Sequence, residues 1–346
     1  MVRRAHHERS RTTTTARLPP STRLRTNGAS GCVPTMTGRR LIAIVGPTAT
    51  GKTSLAVELA RRFDGEVIGA DSRQVYCHME IGTAKPTTGE RSRARHHLID
   101  VVEPDEPFSL GRWLELAQAA LEDVWSRGGQ PLLVGGTGQY VWALLEGWRV
   151  PRVPPQPEFR RRMEGREAAE LFEEVRRIDP QAAERIGPTN RRRLVRALEV
   201  YEVTGRPISY WQAKEPPDFE TLVIGLRLSR DELYRRIDGR VERMMASGLI
   251  EDARCLLAMG YSRELPSMSG IGYKEACAHL AGEITLTEAE ARIKTETHRL
   301  ARHQNTWFKA DDQRIHWLDA GEQALEEAVR LVESEMGLKR TVVRGR

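Results

Sequence analysis

Cysteine is scarce: Cys32, Cys77, Cys255 and Cys277 are the only four in 346 residues. None forms a C-x-x-C pair, and no His pair follows at zinc-finger spacing, which excludes a Cys/His metal module. A reduced, cytoplasmic, zinc-free protein is the expectation. No apolar run approaches the roughly 18 residues that a membrane helix needs, so no membrane partner is expected. Lysine is scarce as well: of 54 basic residues only seven are lysine. Arginine forks bind phosphate bidentately and stack on bases. A GC-rich genome also favours arginine codons, so only local clusters carry weight. Acid is almost missing from the first 35 residues, which hold Glu8 alone among Arg, Thr, Ser and Pro. That stretch lacks the apolar core of a secretory signal. It reads as a disordered basic extension over 1–38, and Met36, just ahead of the first apolar run, reads as the native start.

What is present alternates. Leu41-Ile42-Ala43-Ile44-Val45 is a continuous apolar run, as expected of a strand buried on both faces. A glycine-containing loop follows, then a helix with Leu55, Leu59 and Phe63 at spacing four. Further strands are expected at 67–70, 98–102, 131–134, 222–226 and 314–318, with a helix over 114–125. Strand–helix alternation predicts a parallel α/β sheet whose ligands bind outside the carboxyl ends of the strands. Three such ends are polar or glycine-rich: the loop at 46–53, Asp71-Ser72, and Gly135-Gly136-Thr137.

From about 150 the texture changes. Pro151, Pro154, Pro155 and Pro157 make a stiff connector. Charged helices are expected over 158–177 and 191–204, the second stopped by Gly205 and Pro207. Ser229 with Glu232, and Thr287 with Glu290, read as capping boxes opening two later helices. The last of these runs to about 309, with Ile293, Leu300 and Trp307 as its buried stripe. On helix 191–204, Arg192, Arg193 and Arg196 lie opposite a Leu194/Leu198/Tyr201 face.

Gly46-Pro47-Thr48-Ala49-Thr50-Gly51-Lys52-Thr53 matches G-x-x-x-x-G-K-[ST]. Backbone N–H groups at that spacing curl around phosphate oxygens, the lysine reaches a distal phosphate, and the threonine can hold Mg²⁺. The motif does not say which phosphate compound binds, and a kinase or NTPase is its default meaning. Such an enzyme would carry an acid at the end of a later strand. Strand 131–134 ends instead in Gly-Gly-Thr, and the nearest strand-end acid is Asp71. Asp71 beside a phosphate loop suits Mg²⁺ binding or general-base work, with a helix N-cap as the structural alternative.

Taken in order, several blocks resemble the tRNA dimethylallyltransferase (tRNA isopentenyltransferase) family of bacterial type. They are the loop at 46–53, Asp71-Ser72-Arg73-Gln74-Val75-Tyr76, Ile81-Gly82-Thr83-Ala84-Lys85-Pro86, His96-His97-Leu98-Ile99-Asp100, Leu133-Val134-Gly135-Gly136-Thr137-Gly138-Gln139-Tyr140, Arg193-Leu194-Val195-Arg196-Ala197-Leu198-Glu199-Val200, Ile271-Gly272-Tyr273-Lys274-Glu275, and Gln304-Asn305-Thr306-Trp307-Phe308. The likeness covers about 41–320. It implies a P-loop NTPase-like parallel sheet core flanked by helices, with an all-helical insertion domain. The expected organisation is extension 1–38, core 39–149, insertion 150–215 contacting tRNA, core 216–322, and a helix with a basic tail over 323–346.

The resemblance also implies chemistry. Dimethylallyl diphosphate would donate the prenyl group to N6 of the adenosine 3′ of the anticodon. Gly46, Pro47, Thr48, Ala49, Thr50, Gly51, Lys52 and Thr53 would cradle the diphosphate, with Mg²⁺ on Thr53. Asp71, Lys52, Thr137 and Arg240 would be the catalytic set. Contacts to the tRNA anticodon loop would come from Asp71, Ser72, Arg73, Gln74, Thr137, Arg160, Arg192, Arg193, Arg196, Gly272, Tyr273, Lys274, Arg299, Arg302, His303, Gln304 and Trp307. The base would be flipped out to reach the pocket. One departure stands out: where the family usually reads Thr-Arg-x-x-Ala-Lys-Arg-Gln, this chain has Thr297-His298-Arg299-Leu300-Ala301-Arg302-His303-Gln304. Two arginines become histidines, mostly neutral at pH 7. Rivals left standing are a P-loop kinase or NTPase, an adenylate isopentenyltransferase acting on free nucleotide, and a non-catalytic tRNA-binding protein. No stable protein partner is expected, and the protein is expected to be a monomer.

Overall fold

A computed structural model describes residues 38–340. Nearly all of the basic extension, the proposed start at Met36 and the end of the basic tail lie outside the described residues.

The first half of the core runs β1 (Arg40–Val45), α1 (Lys52–Arg62), β2 (Gly65–Gly69), α2 (Thr88–Arg93), β3 (His96–His97), α3 (Leu110–Ser126), β4 (Gln130–Val134) and α4 (Gly138–Leu145). Four helices follow: α5 (Pro157–Glu164), α6 (Ala168–Ile178), α7 (Pro180–Ile186) and α8 (Arg191–Thr204). The chain then returns through β5 (Glu220–Arg227), α9 (Arg230–Ala246), α10 (Leu249–Ala258), α11 (Tyr273–Leu280), α12 (Leu286–Trp307), β6 (Ile315–Asp319) and α13 (Ala324–Met336). No described helix is long and apolar enough to cross a membrane.

The strands form one parallel sheet in the order β3-β2-β4-β1-β5-β6. Strand side chains alternate between faces, so the apolar run of β1 divides. Leu41, Ala43 and Val45 join Trp113, Leu121, Val141, Ile237 and Ile293 on one face. Ile42 and Ile44 join Leu55, Leu59, Val329 and Val332 on the other. Both faces are covered, which is why β1 reads as unbroken hydrophobicity. β1 is central, and the chain departs from it to β2 on one side and later β5 on the other. The carboxyl ends around β1 are therefore the switch point where such sheets bind ligands.

Helices α5–α8 bury a separate cluster that includes Phe159, Met163, Leu171, Val175, Leu194 and Leu198. The segment leaves and returns through a narrow neck. Trp148 and Lys214 make a single antiparallel bridge. Arg149 N–H donates to Ala213 O (3.1 Å), and Glu215 N–H donates to Gly147 O (2.8 Å). Gly147 has φ 62, and a Cβ there would sit 1.6 Å from Glu215 O, so the neck requires glycine.

Several expectations are corrected. Residues 98–102 do not form a strand: β3 is only His96–His97, and Leu98 and Asp100 are left-handed at φ 63 and 56. Asp100 is drawn aside by the buried Lys85 ammonium and by Arg91 (Nη1–Oδ2 2.9 Å). The helix expected over 158–177 is two, broken where α5 ends at Gly165. Arg191 holds the break from α8, donating to Met163 O and Arg166 O. The capping box of α12 is Thr285 with Glu288, not Thr287 with Glu290. Ser229 does cap α9, but the Glu232 carboxylate turns to Arg236 (2.7 Å) instead of closing the box. On α12, Ile293 is buried while Leu300 is 38 % exposed. A straight helix drifts about 20° per seven residues, so the stripe rotates and Ala301 and Gln304 become the inward positions. On α8, Tyr201 is exposed, and the buried face is Leu194, Val195, Ala197, Leu198 and Val200.

Candidate active site

The loop after β1 is shaped by positions where no ordinary side chain fits. Gly46 has φ 130, and a Cβ there would lie 2.4 Å from Leu226 O on β5. Ala49 and Gly51 are left-handed at φ 64 and 91. The Thr50 hydroxyl donates to Pro47 O at 2.9 Å and closes the turn. Gly51, at the N-cap of α1, gives the helix no side-chain acceptor. Its first amides therefore face the cleft at the positive end of the helix dipole, as an anion site requires.

Two cations converge on this loop. Lys52 Nζ donates to Pro47 O at 2.6 Å. Arg240, reaching over from α9, donates through Nη1 to Thr48 Oγ1 at 3.0 Å. Burial drives the Lys52 ammonium down to about 7; Arg240 pushes the same way and Asp71 opposes it. Arg240 too is lowered by burial and by Arg243, against Asp71 and Glu90. Two half-buried cations, with Asp71 as the carboxylate acting on both, make a site complementary to a polyvalent anion.

Asp71 and Thr137 stand at the ends of the neighbouring strands. No helix starts at Asp71, so the N-cap alternative falls. Its Oδ1 accepts from Arg73 N–H at 2.8 Å in a tight turn. The Thr137 hydroxyl accepts from Ser72 N–H at 3.1 Å, which ties β4's end to β2's. The glycines before it make that approach possible: a Cβ at Gly135 would lie 2.1 Å from Ala70 O. Gly136 and Gly138 serve α12 instead, with Gln304 Nε2 at 2.1 Å and Trp307 Cβ at 2.3 Å from their would-be Cβ atoms.

These groups line one cleft of about 1360 Å³, above the usual range of a small-molecule pocket. It contains Lys52, Thr53, Asp71, Ser72, Arg73, Gln74, Thr137 and Arg240, together with Gly272, Arg193 of α8 and His303 and Trp307 of α12. Gln304 bonds the loop directly: Thr48 N–H donates to its Oε1 at 2.8 Å.

Several expected contact residues, Arg73 and Gln74 of the cleft lining among them, are engaged by other protein groups. Arg160 and Arg196 both bind Glu199, which is fully buried in α8 (2.8 and 2.6 Å). Burial works to raise that carboxyl, but hydrogen bonds from Arg160, the Gln156 amide and Arg196 bring it down to about 2. Tyr273 is buried, donating its hydroxyl to Asp252 Oδ2 at 2.6 Å. Arg73 spends Nη1 on Pro266 O (2.7 Å), and Gln74 spends Nε2 on Ala84 O (3.0 Å). Arg299 pairs with Glu296, and Arg302 donates to the Tyr234 hydroxyl. Arg192 and Lys274 are exposed.

Two features went unread in the sequence. Arg243 lines the cleft three residues after Arg240, a spacing that puts both on one helix face. Lys85 is buried under the cleft loop, held by Tyr76 O (2.7 Å), Glu80 (2.8 Å) and Asp100. Its signal was rarity: it is one of only seven lysines in an arginine-rich chain.

A family model described as IPP transferase matches residues 74–311, and one described as isopentenyl transferase matches residues 39–102. The tRNA dimethylallyltransferase of Roseiflexus sp. (strain RS-1) is 54 % identical over 274 residues, covering 78 % of this chain and 90 % of that protein. That of Thermomicrobium roseum is 46 % identical over 294 residues, covering 84 % and 89 %. Among solved structures, the full-length tRNA isopentenylpyrophosphate transferase of Bacillus halodurans matches with TM-score 0.65 and 38 % identity over 86 % of this chain and 97 % of that one. A eukaryotic dimethylallyltransferase acting on tRNA matches with TM-score 0.73 and 26 % identity, over 89 % and 82 %. With the loop, the strand-end acid and the helical insertion of the fold in place, this chain belongs to the tRNA dimethylallyltransferase (IPP transferase) family.

Proposed function

We propose that the protein transfers a dimethylallyl group from dimethylallyl diphosphate to N6 of the adenosine 3′ of the anticodon in tRNA, releasing diphosphate. Family membership makes it a tRNA-modifying prenyltransferase. The observation that carries the rest is the joint placement of Asp71 and the Lys52/Arg240 pair in one cleft.

In this reading the diphosphate lies on the amides of loop 46–53, against Lys52 and Arg240. The N6 lone pair attacks the allylic C1, the C1–O bond breaks, and its electron pair leaves on diphosphate. The charge grows on the leaving group, where the fixed cations and amides sit. Asp71 accepts the N6 proton, and the Thr137 hydroxyl orients the reacting groups beside it. The Thr53 hydroxyl and the Asp71 carboxylate are hard oxygen donors lining the same cleft, a set that suits Mg²⁺. Thr53 would hold the ion, which supplies further charge neutralisation on the diphosphate. A kinase is disfavoured because β4 ends in Gly135-Gly136-Thr137, without the metal-binding acid.

The test is incubation with dimethylallyl diphosphate, Mg²⁺ and either unmodified tRNA or AMP, followed by nucleoside analysis. Prenylated adenosine from tRNA alone is expected. Product from AMP alone would move the acceptor to free nucleotide, and product from neither would defeat the proposal.

A further inference from the structure

We propose that Gln304 is a positioning residue of the donor site, which fixes the phosphate loop through the backbone of Thr48. This rests on the reading that the diphosphate occupies loop 46–53. By its place in the sequence Gln304 belongs to a basic block on α12, beside Arg299 and Arg302, and was expected to touch tRNA. The geometry gives its side chain a different task.

Gln304 is only 7 % exposed, one turn from the end of α12. A primary amide offers an acceptor and donors at one end of a short stem. Both are used here. Oε1 accepts from Thr48 N–H at 2.8 Å, and Nε2 donates to Gly136 O at 3.0 Å. The two partners are backbone groups just beyond the ends of β1 and β4, so the side chain bridges the two strand ends that frame the cleft. The opposite amide orientation would set N–H against N–H and oxygen against oxygen.

Thr48 is thereby held twice, by Gln304 at its amide and by Arg240 at its hydroxyl. The next residue, Ala49, adopts φ 64, a conformation that costs a residue with a side chain and persists only where the surroundings enforce it. That turn aims the following amides into the cleft. Fixing Thr48 on both sides enforces it, and Gln304 is the half of the clamp supplied by α12. Gly136 belongs to the same device: a Cβ there would occupy the Nε2 position. A glutamate could not substitute when ionised, because a second carboxylate oxygen would face Gly136 O and put negative charge beside the diphosphate. A protonated glutamic acid could, since its hydroxyl donates where Nε2 does.

The experiment compares the full-length protein with Gln304→Ala, Gln304→Glu and Lys52→Ala. Readouts are the KM for dimethylallyl diphosphate, kcat, and tRNA affinity by filter binding without donor. Gln304→Ala is expected to raise the donor KM about tenfold or more and leave tRNA affinity unchanged, since it strands a part-buried amide at Thr48 and a buried carbonyl at Gly136. Gln304→Glu is expected to be as poor at pH 8 and to approach the wild type as pH falls toward 5.5, compared with the wild type at each pH so that shared titrations cancel. A pH-independent ratio for Gln304→Glu, or loss of tRNA affinity with an unchanged donor KM in Gln304→Ala, would overturn the proposal. If Gln304→Ala does not fold, the pH ratio of Gln304→Glu decides alone. Lys52→Ala separates the two levels: an unchanged donor KM there defeats the phosphate-loop reading itself, whereas its loss alongside an unchanged Gln304→Ala defeats only the role of Gln304.

Discussion

At the scale of single residues, charge placement does most of the functional work. Asp71→Ala is expected to cut turnover sharply while donor binding survives, because in the proposed reaction the carboxylate takes the acceptor's proton while the loop amides, Lys52 and Arg240 remain. A positioned base is worth about 10²–10⁴-fold, so a loss of that size in single-turnover rate, with donor affinity retained, is the expected result. Full activity in this variant would remove Asp71 from the reaction. Lys52 makes a different prediction. Its ammonium is depressed in the fold to about 7 from an ordinary 10.5. The unfolded chain therefore holds that proton more tightly, and the charged form burdens the fold below pH 7. Stability should rise as pH climbs from 7 toward 10, through this group. Lys52→Met should raise the melting temperature of the donor-free protein at pH 6 by more than at pH 9.5, and an equal gain at both would contradict it. Why a cationic loop is legible at this scale is plain: the pattern is local, and its meaning lies in eight consecutive residues. Arg160 and Arg196 were not legible in the same way. In sequence they are arginines like Arg192 and Arg193; only the fold brings all the groups around Glu199 together, Arg160 from 39 positions away.

At the scale of elements, the same Glu199 is the fastening of the insertion. It joins α5 to α8 through Arg160 (2.8 Å) and accepts the Gln156 amide (2.7 Å). Its carboxyl sits at about 2, below the ordinary value of 4.5. Its stabilising contribution is thus complete above pH 4.5 and lost as pH falls toward 2. Glu199→Ala should destabilise by about 1–2 kcal/mol, since it leaves the Gln156 amide and the half-buried Arg196 without their acceptor while Arg160 stays in water, and proteolysis should cut between α5 and α8 first. Protection in that segment equal to the wild type would refute this. Elements with their own period were readable: β1, β4, β5 and α8 lie where their apolar patterns put them. The 98–102 segment was not, because its apolar residues promise a strand while Lys85 and Arg91 of α2 pull Asp100 out of line. Lys85→Met should therefore loosen residues 81–100 and cost about 1–3 kcal/mol, since the Tyr76 carbonyl loses its charged donor while Asp100 keeps Arg91 and water. Hydrogen exchange over that segment would reveal the loosening, and unchanged exchange there would argue against it.

At the scale of the whole molecule, the cleft is assembled from β1, β2, β4, α9 and α12, which are spread over most of the chain. If the proposed site holds, a diphosphate on the loop would stabilise all of them at once, by an amount that grows with RT ln(1 + [L]/Kd). Pyrophosphate with Mg²⁺ should raise the melting temperature of the wild type and leave that of Lys52→Ala nearly still. The parallel sheet and its ligand edge were readable because buried strands and glycine-rich ends are local signals. The contact of α12 with the loop was not, since nothing near Gln304 in sequence points 256 residues back to Thr48. The neck at Gly147 and Glu215 has a consequence of another kind. Exit and re-entry lie one hydrogen bond apart, so the helices between them are a module hung on a closed seam. The sheet does not depend on the length of that module, although Arg193 on α8 reaches the cleft lining. A change of length inside the module can be absorbed without moving the strands, provided that Gly147 stays at the seam.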